Sequence, residues 1–352
     1  MTTNGLLTLP ATVPMLLAQE SARAEQQRRE QAARAERYYR GDQKRMLTVK
    51  AGESDDNVRV NVVQIAVDAS VDFLWGVDDL EFTLDDPGDQ AGSDQDAGEQ
   101  LVNDVWDHND RMTVLGDLAL NGALHGRAVL LMHIPDGIER VTLGDPDTYP
   151  RLQVIDPACL DVTWDQDDMD RVTEYRITWN IIDEAGRPAR RRKRITMTAD
   201  TPDSPWVITD EIERRGGRWD QYGPGVTAWP HRDPPIFTCK NLPNPNEWWG
   251  RPDVDDDLLS QQDSINAVAS NARRVSRLHG HPKLWMSGLG DGELPASPDA
   301  AIVLPDEDSR IGMLTPPAVI DQHLALYEAL RDAFHAQARV PRFVAGRLDN
   351  VG

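Results

Sequence analysis

Residues 244–282 read NPNEWWGRPDVDDDLLSQQDSINAVASNARRVSRLHGHP, and this stretch contains the clearest helix signal in the chain. Pro252 suits a first helical turn, and the pattern predicts a helix over 252–277. Acidic residues at the beginning and basic residues at the end complement the helix dipole. These residues are Asp253, Asp255, Asp256 and Asp257 at the beginning and Arg273, Arg274 and Arg277 at the end.

The spacing within this helix predicts a narrow packing seam. Two series recur every seven residues, as in a coiled coil. A helix with such a seam is expected to pack against one or two neighbours and to leave its other sides in water. The two series are Val254, Gln261, Val268 and Val275, and Leu258, Ile265 and Ala272.

A small module and a further helix follow. Residues 279–317 are rich in Gly and Pro, with two short runs typical of strands at 284–286 and 301–304. Residues 318–338 then predict a helix with Ile320, Leu324, Tyr327, Leu330 and Phe334 on one stripe. The order is therefore helix, small module, helix.

The rest of the chain predicts a mixed α+β protein. Helices are expected over 14–40, 57–75 and 97–124, and the run GRAVLLMHI at 126–134 predicts a buried strand. From residue 151 onward the alternation is that of strands, with a hairpin whose returning arm carries the basic run Arg190–Arg194. This run favours an ion-paired or solvated edge strand over a nucleic-acid site.

Composition limits the classes of function. The 352 residues carry a formal net charge of −22, which disfavours tight non-specific binding of nucleic acid by the surface as a whole. Cys159 and Cys239 are the two cysteines, so a disulfide scaffold is excluded and two buried free thiols are expected. No apolar run is long enough to predict a membrane span.

The chain carries none of the usual catalytic or metal-binding motifs. The acidic stretch 78–99 predicts a loop, or an edge strand and a loop, and 164–170 lacks the ligand spacing of an EF-hand. His279 and His281 have no flanking partner ligands. The sequence therefore predicts no catalytic residues, no cofactor, no metal and no enzymatic activity.

The order of these features resembles the portal protein of a long-tailed bacteriophage, the head-to-tail connector. The similarity lies in AERYYRGDQ at 35–43, VDASVDFLWG at 67–76, HGRAVLLMHI at 125–134, and the stretch from 242 to 288 with IVLPDEDSRIGMLTPP after it. The resemblance spans nearly the whole chain through element order and short patches.

The resemblance implies an α+β portal-type fold and a ring, usually of twelve subunits. Family members usually continue into a tunnel helix and a crown, whereas this sequence stops at Gly352, so no crown is expected within it. The implied regions are an α/β wing (1–250), a stem helix (251–278), a clip (279–317), a second stem helix (318–338) and the start of a tunnel loop (339–352).

The family also implies partners and residue roles. The ring would occupy one capsid vertex of the virion, at the neck, after assembly in the host cytoplasm. Its expected partners are the major capsid protein, the head-to-tail adaptor, the terminase packaging motor and the double-stranded DNA in the channel. The charged residues at the two ends of the 252–277 helix would meet neighbouring subunits. The clip residues Leu284, Trp285, Asp306, Glu307 and Asp308 would meet the adaptor or motor, and Arg339, Arg342 and Arg347 would face the DNA.

Two alternatives remain open on the sequence alone. One is a different structural protein of the virion, such as a capsid or tail component. The other is a carbohydrate-active enzyme, since ten tryptophans accompany many carboxylates. Glycosidases need two carboxylates converging in one cleft, and the tryptophans here are scattered from Trp75 to Trp285.

Overall fold

The computed structural model describes most of the chain and divides it into two units. The first unit comprises Met1–Arg40 with Gln64–Asp256, and the second comprises Gly41–Val63 with Asp257–Gly352. The chain therefore passes between the units after residues 40, 63 and 256. The described residues are 12–76, 80–83, 92–135, 137–138, 140–165, 167–168, 171–183, 186–198, 205–214, 217–245, 247–279, 283–287, 310–314 and 320–341.

In the described part of the chain, four helices precede the first strand. The predicted N-terminal helix is confirmed as α1, Thr12–Tyr39. Helix α2, Val62–Trp75, begins five residues later than predicted, because 57–61 is extended. Helix α3 is Gly92–His108, and α4 is Arg111–His125.

The single helix predicted over 97–124 is wrong. The chain breaks at Asn109–Asp110, where Asp110 has a left-handed φ of 56°. Aspartate tolerates this conformation better than most residues do. Asn109 stabilises the break by donating to Pro150 O and accepting from Leu152 N.

A three-stranded antiparallel sheet lies next to α4, with the order β2–β1–β8. Its central strand β1, Arg127–His133, is the buried strand predicted from GRAVLLMHI. It pairs with β2, Arg151–Val154, and with β8, Ile236–Lys240. Short 3₁₀ turns lie at Pro146–Thr148 and Pro157–Cys159.

A five-stranded antiparallel meander follows, with the order β3–β4–β5–β6–β7. The predicted hairpin is confirmed as β4 with β5. Because β5 lies at the centre of the sheet, its prediction as an edge strand is wrong. The strands are β3 Leu160–Trp164, β4 Val172–Ile182, β5 Pro188–Met197, β6 Trp206–Glu213 and β7 Trp219–Trp229.

The core of the first unit joins the two sheets. Val129 and Leu131 of β1 and Leu160, Ile177 and Ile195 of the meander belong to one buried apolar cluster. Within β1 the buried members of this cluster are spaced two residues apart, and so are the residues of β3 and of β5 that belong to it or pack against it, as a pleated strand requires. The α+β class is thus established.

The described residues of the second unit form two helices with a strand pair between them in the sequence. Helix α5, Asp256–His279, begins four residues after Pro252. Strand β9, Lys283–Ser287, pairs antiparallel with β10, Arg310–Leu314. Helix α6 is Ile320–Gln337. The strand predicted at 284–286 is confirmed, while 301–304 lies outside the described residues.

Two smaller expectations have clear outcomes. Both cysteines are free, but they are not both buried as predicted: Cys159 is half-buried and Cys239 is exposed. Among the helices that the structure describes, none is long and apolar enough to cross a bilayer.

Candidate functional site

The most specific arrangement in the chain lies along α5, where the helix holds an extended segment. We call residues 41–63 the strap; they follow α1 and include Val62 and Val63, the first two residues of α2. Its last part, 56–63, runs alongside α5 in the opposite direction. Gln262, Asn266 and Ser270 of α5 face it, and each of these polar side chains is completely buried.

The three α5 side chains bind the backbone of the strap. Ser270 Oγ accepts from Val58 N at 2.9 Å, and Asn266 Oδ1 accepts from Val60 N at 2.9 Å. Gln262 Oε1 accepts from the amides of Val62 and Val63 at 3.0 and 3.2 Å. Its Nε2 donates to Val60 O at 2.6 Å. We call this set of contacts the amide ladder.

The amide ladder follows from two matching repeats. Four residues of α-helix rise about 6 Å, and two residues of an extended strand advance about 6.6 Å. Side chains at 262, 266 and 270 can therefore reach every second residue of the strap. Buried backbone groups must find partners, and here a helix supplies them in place of a neighbouring strand.

Polar side chains of the strap complete this layer. Asn266 Nδ2 donates to Gln43 Oε1 at 2.6 Å, and Gln43 Nε2 donates to Asn61 Oδ1 at 2.9 Å. Gln43 is 2% exposed. The side-chain oxygen and nitrogen of both Gln43 and Asn266 are hydrogen-bonded. These buried side-chain amides therefore form a satisfied network, which rigidifies a structure instead of destabilising it.

An ion pair closes the end of the ladder. Asp56, whose side chain is 1% exposed, accepts from Arg277 Nε at 2.8 Å and from Arg277 Nη2 at 2.6 Å. Arg274 Nε lies 3.6 Å from the same carboxylate. The hydrogen bonds from Arg277 hold the pKa of Asp56 below its usual range. The pKa of Arg277 is raised in turn by its hydrogen bond to Asp56.

This pairing changes the interpretation of the charged ends of α5. Arg274 and Arg277, predicted to contact neighbouring subunits, both bind Asp56 of their own chain, while Arg273 is exposed. The role of these residues between subunits stays a prediction.

At the acidic end, Asp256 pairs with Arg34 of α1 at 3.1 Å. Asp253 N donates to Ala123 O at 2.8 Å. Asp257 is exposed and Asp255 is half-buried. The acidic residues thus lie partly before the helix, and only Asp256 and Asp257 belong to its first turn.

The narrow seam predicted for α5 is confirmed only in part. Three of its members, Val254, Leu258 and Ile265, are buried as the heptad spacing predicts, but Gln261, Val268, Ala272 and Val275 are only half-buried. The buried face instead includes Leu259 and the three ladder residues. The sequence signal for this face was the recurrence of polar residues every four positions, at 262, 266 and 270. A search for apolar heptads does not detect it.

The two tryptophans before α5 anchor the chain within the first unit. The rings of Trp248 and Trp249 meet edge-on at 4.7 Å, and an arginine stacks on each of them. Arg127 lies 3.6 Å from the Trp248 ring centroid, and Arg28 of α1 lies 3.5 Å from that of Trp249. Burial lowers the pKa of Arg127 to about 10. Such stacking is stronger where water is excluded.

Gly250 allows this anchor to form. A Cβ at Gly250 would lie 2.3 Å from Gly126 O, and a Cβ at Gly126, whose φ is +80°, would lie 2.3 Å from Gly250 O. Only two glycines permit so close an approach of the two backbones. The WWG triplet therefore fixes the course of the chain just before the acidic residues.

The predicted clip and tunnel residues are described only in part. Trp285 pairs with Gly312 and Leu284 with Met313 across β9 and β10. Arg339 is exposed and has a left-handed φ of 59° just after α6, a position that glycine often takes. Residues outside the described part are Asp306, Glu307, Asp308, Arg342 and Arg347.

The basic run of β5 is ion-paired, as predicted. Its side chains alternate between the two faces of the sheet and meet acids of β4 and β6. The closest N–O distances are 2.6 Å for Arg190–Glu213, 2.6 Å for Arg192–Glu211, 2.8 Å for Lys193–Asp210 and 2.9 Å for Arg194–Glu174. With these carboxylates in place, the run is a poor phosphate site.

An open groove of about 540 Å³ lies between α1 and β3 and contains Glu25, Arg29, Glu30 and Asp161. Burial of Glu25 opposes its ionisation, but hydrogen bonds from Arg28 and Arg29 outweigh it and lower the pKa of this carboxyl. A general acid of a glycosidase needs a raised pKa. Within the described part of the chain, no group of His, Cys, Asp and Glu side chains has the geometry to hold a metal ion.

Comparisons with known proteins leave this geometry as the basis for a function. The chain matches no protein-family model, and no curated protein matches it in sequence.

Proposed function

We propose that the protein is the portal protein of a tailed bacteriophage, which forms a ring at one capsid vertex. In this role it is the conduit for packaging and ejecting DNA and the platform for the packaging motor and the neck adaptor. Its work is mechanical and structural, with no catalytic residues. The major capsid protein surrounds the ring, and double-stranded DNA passes through the channel.

The observation that carries the proposal is the exposed apolar surface of α6. Ile320 and Leu324, one turn apart on the same side of the helix, are 37% and 52% exposed, and Leu326 on the opposite side is 50% exposed, whereas Phe334 near the other end of the helix is completely buried. Helices of single-chain domains bury their apolar stripe. A helix that exposes large aliphatic residues over two turns is suited to packing against another chain.

The arrangement around α6 supports the same proposal. Helix α5, the β9–β10 pair and α6 follow one another in the order of a portal stem, clip and second stem helix. A closed ring has head-to-tail interfaces, so each copy needs two different complementary surfaces. The apolar surface of α6 supplies one of them.

The remaining roles belong to the proposal. Residues 279–317 are the clip that meets the adaptor and the motor, through Leu284, Trp285 and the acids at 306–308. Arg339, Arg342 and Arg347 begin the loop at the channel. In a ring of twelve copies they would form a positive collar on an acidic tube, where weak phosphate contacts can be made and released.

Native mass spectrometry and single-particle imaging of the purified protein test the proposal. We expect a closed ring of about twelve copies with a central channel. The variant Leu324→Glu/Leu326→Glu places charges on the α6 surface and should release single copies that keep their fold by circular dichroism. The matched control Glu328→Gln, on an exposed position of the same helix, should leave the ring intact. A wild-type protein that stays a monomer at micromolar concentration would contradict the proposal.

A further inference from the structure

The amide ladder recognises backbone groups of the strap and few of its side chains. At Val58, Val60 and Val62 the atoms bound by α5 are backbone amides, and at Val60 also the carbonyl oxygen. An extended segment from another copy would offer the same groups in the same spacing. The contacts themselves are therefore the same whether the strap belongs to the same chain or to a second copy.

The connectivity of the chain makes such an exchange simple. Two of the three passages between the units, after residues 40 and 63, are the ends of the strap itself. If the strap moves together with the first unit, only the passage after Asp256 joins the two exchanging parts. A single connection has to change direction, which is the condition under which identical elements are exchanged at low cost.

That single connection has the features of a hinge. Residues 252–255 lie outside any helix or strand, and Asp253 N and Val254 N both donate to Ala123 O, so the chain is fixed up to Val254 and its change of direction has to fall at Asp255, just before α5 begins. Asp255, Asp256 and Asp257 follow at once.

We propose that neighbouring copies in the ring exchange the strap, so that residues 56–63 of one copy occupy the amide ladder of the next. Each copy then donates its strap on one side and receives a strap on the other, which is a head-to-tail interface. The Asp56–Arg277 pair becomes an ion pair between copies. This inference rests on the proposed ring and gives the basic end of α5 its role between subunits.

Single-cysteine copies distinguish exchange from binding within one chain. Val58→Cys and Ser270→Cys are placed on separate chains in a Cys159→Ser/Cys239→Ser background, since Val58 N lies 2.9 Å from Ser270 Oγ. The two proteins are unfolded, mixed in equal amounts and reassembled. Oxidation or a short bismaleimide then joins the cysteines, and denaturing gels separate one-chain from two-chain products.

Exchange predicts a two-chain product in about half of the Val58→Cys copies, because half of their neighbours carry Ser270→Cys. A chain carrying both substitutions, diluted into excess wild type, is the matched control and should form no link within one chain, because its neighbours lack the second cysteine. The exchange is overturned if rings form normally, the mixture gives no two-chain product and the double variant is linked within one chain. In that case the proposed ring still stands. If the wild type forms no ring at all, the proposed function fails first and the exchange with it.

Discussion

The strap and strand β5 are both extended segments held by polar side chains, but they are held by different chemistry. Strand β5 pairs through its backbone with β4 and β6, and its Arg and Lys side chains add ion pairs at the partly exposed surface. The 58–63 part of the strap is held along α5 by completely buried neutral side chains that bind its backbone. Ion pairs near water contribute little each, whereas buried backbone groups without partners are costly. The amide ladder should therefore be sensitive to single substitutions and the β5 ion pairs tolerant of them.

Gln262→Leu should have the largest effect. Leucine fills a similar volume but leaves Val63 N without the Gln262 acceptor, and leaves Val62 N and Val60 O with the hydrogen bond between them in place of two bonds to Gln262. The free energy of unfolding should fall by about 3 kcal/mol, as measured by chemical denaturation. Hydrogen exchange at the amides of Val62 and Val63 should accelerate before the rest of the chain is affected.

The control is Ser264→Ala on an exposed position of α5, where a change within about 0.5 kcal/mol is expected. If Gln262→Leu and Ser264→Ala were equally mild, the ladder would not be what holds the strap, and the contrast with β5 would fail.

The second-largest effect is expected from acid, which should weaken the ion pair at the Asp56 end of the ladder. Since the folded-state pKa of Asp56 is below its ordinary value, its contribution to stability is fully present above about pH 4 and is lost as the pH falls toward the lowered pKa. Hydrogen exchange at Val58 N, followed from pH 6 to pH 3 with correction for intrinsic rates, should show protection lost over that range.

Asp56→Asn should weaken protection of Val58 already at neutral pH and remove most of the acid-induced loss. An equal acid-induced loss in Asp56→Asn and in the wild type would assign the effect to another group.

Ser270→Ala should have an intermediate effect. It removes one acceptor, from Val58 N, and Val58 itself is only half-buried, so water reaches the freed amide more easily than it reaches the buried residues Val62 and Val63. We expect a loss of about 1 kcal/mol in chemical denaturation, and restoration by Ser270→Thr where the extra methyl is accommodated. A loss as large as that of Gln262→Leu would show that this end of the ladder is as closed to water as the other.

Glu211→Gln on β6 should have the smallest effect. Glu211 pairs with Arg192 at 2.6 Å, with side chains 16% and 19% exposed, and the strands keep all their backbone bonds without it. A loss of about 0.5–1 kcal/mol is expected, decreasing as salt is raised. A loss above 2 kcal/mol that salt does not change would mean that β5 depends on its ion pairs as the strap depends on its ladder.

Elements whose pattern reflects their own burial could be predicted from the sequence. Strand β1 is a short apolar run, as a buried strand requires, and in β4 of the β4–β5 hairpin apolar and polar residues alternate, as a buried and an exposed face require. In α1 and α6, helix-forming residues are followed by residues that end a helix. The centre position of β5 could not be predicted, because its charges suggest a strand exposed to solvent, and only the acids of β4 and β6 explain them. Asn109–Asp110 breaks a helix through contacts with Pro150 and Leu152, about 40 residues away, which no local pattern contains.

The strap shows the same limit at the candidate site. Val60, Val63, Val67, Val71 and Leu74 recur at helical spacing, so a helix from residue 57 was the natural prediction. The amides of 58–62 are instead bound by side chains some 200 residues away, and that pairing outweighs the local preference. On α5, apolar heptads predicted the seam, whereas the residues that bind the strap are polar. Composition could point to the charged ends of α5 but not to Asp56 as the partner of Arg277.

Recognition through the backbone also has a consequence for how such a chain changes over generations. Substitutions at 58 and 60 leave the backbone amides in place, so these positions can change without a compensating substitution at 266 or 270. The contact is therefore not expected to produce covariation between these positions. Proline is the exception, since it removes the amide that the ladder binds. Asp56 and Arg277 are joined through their side chains, so these two positions are expected to change together.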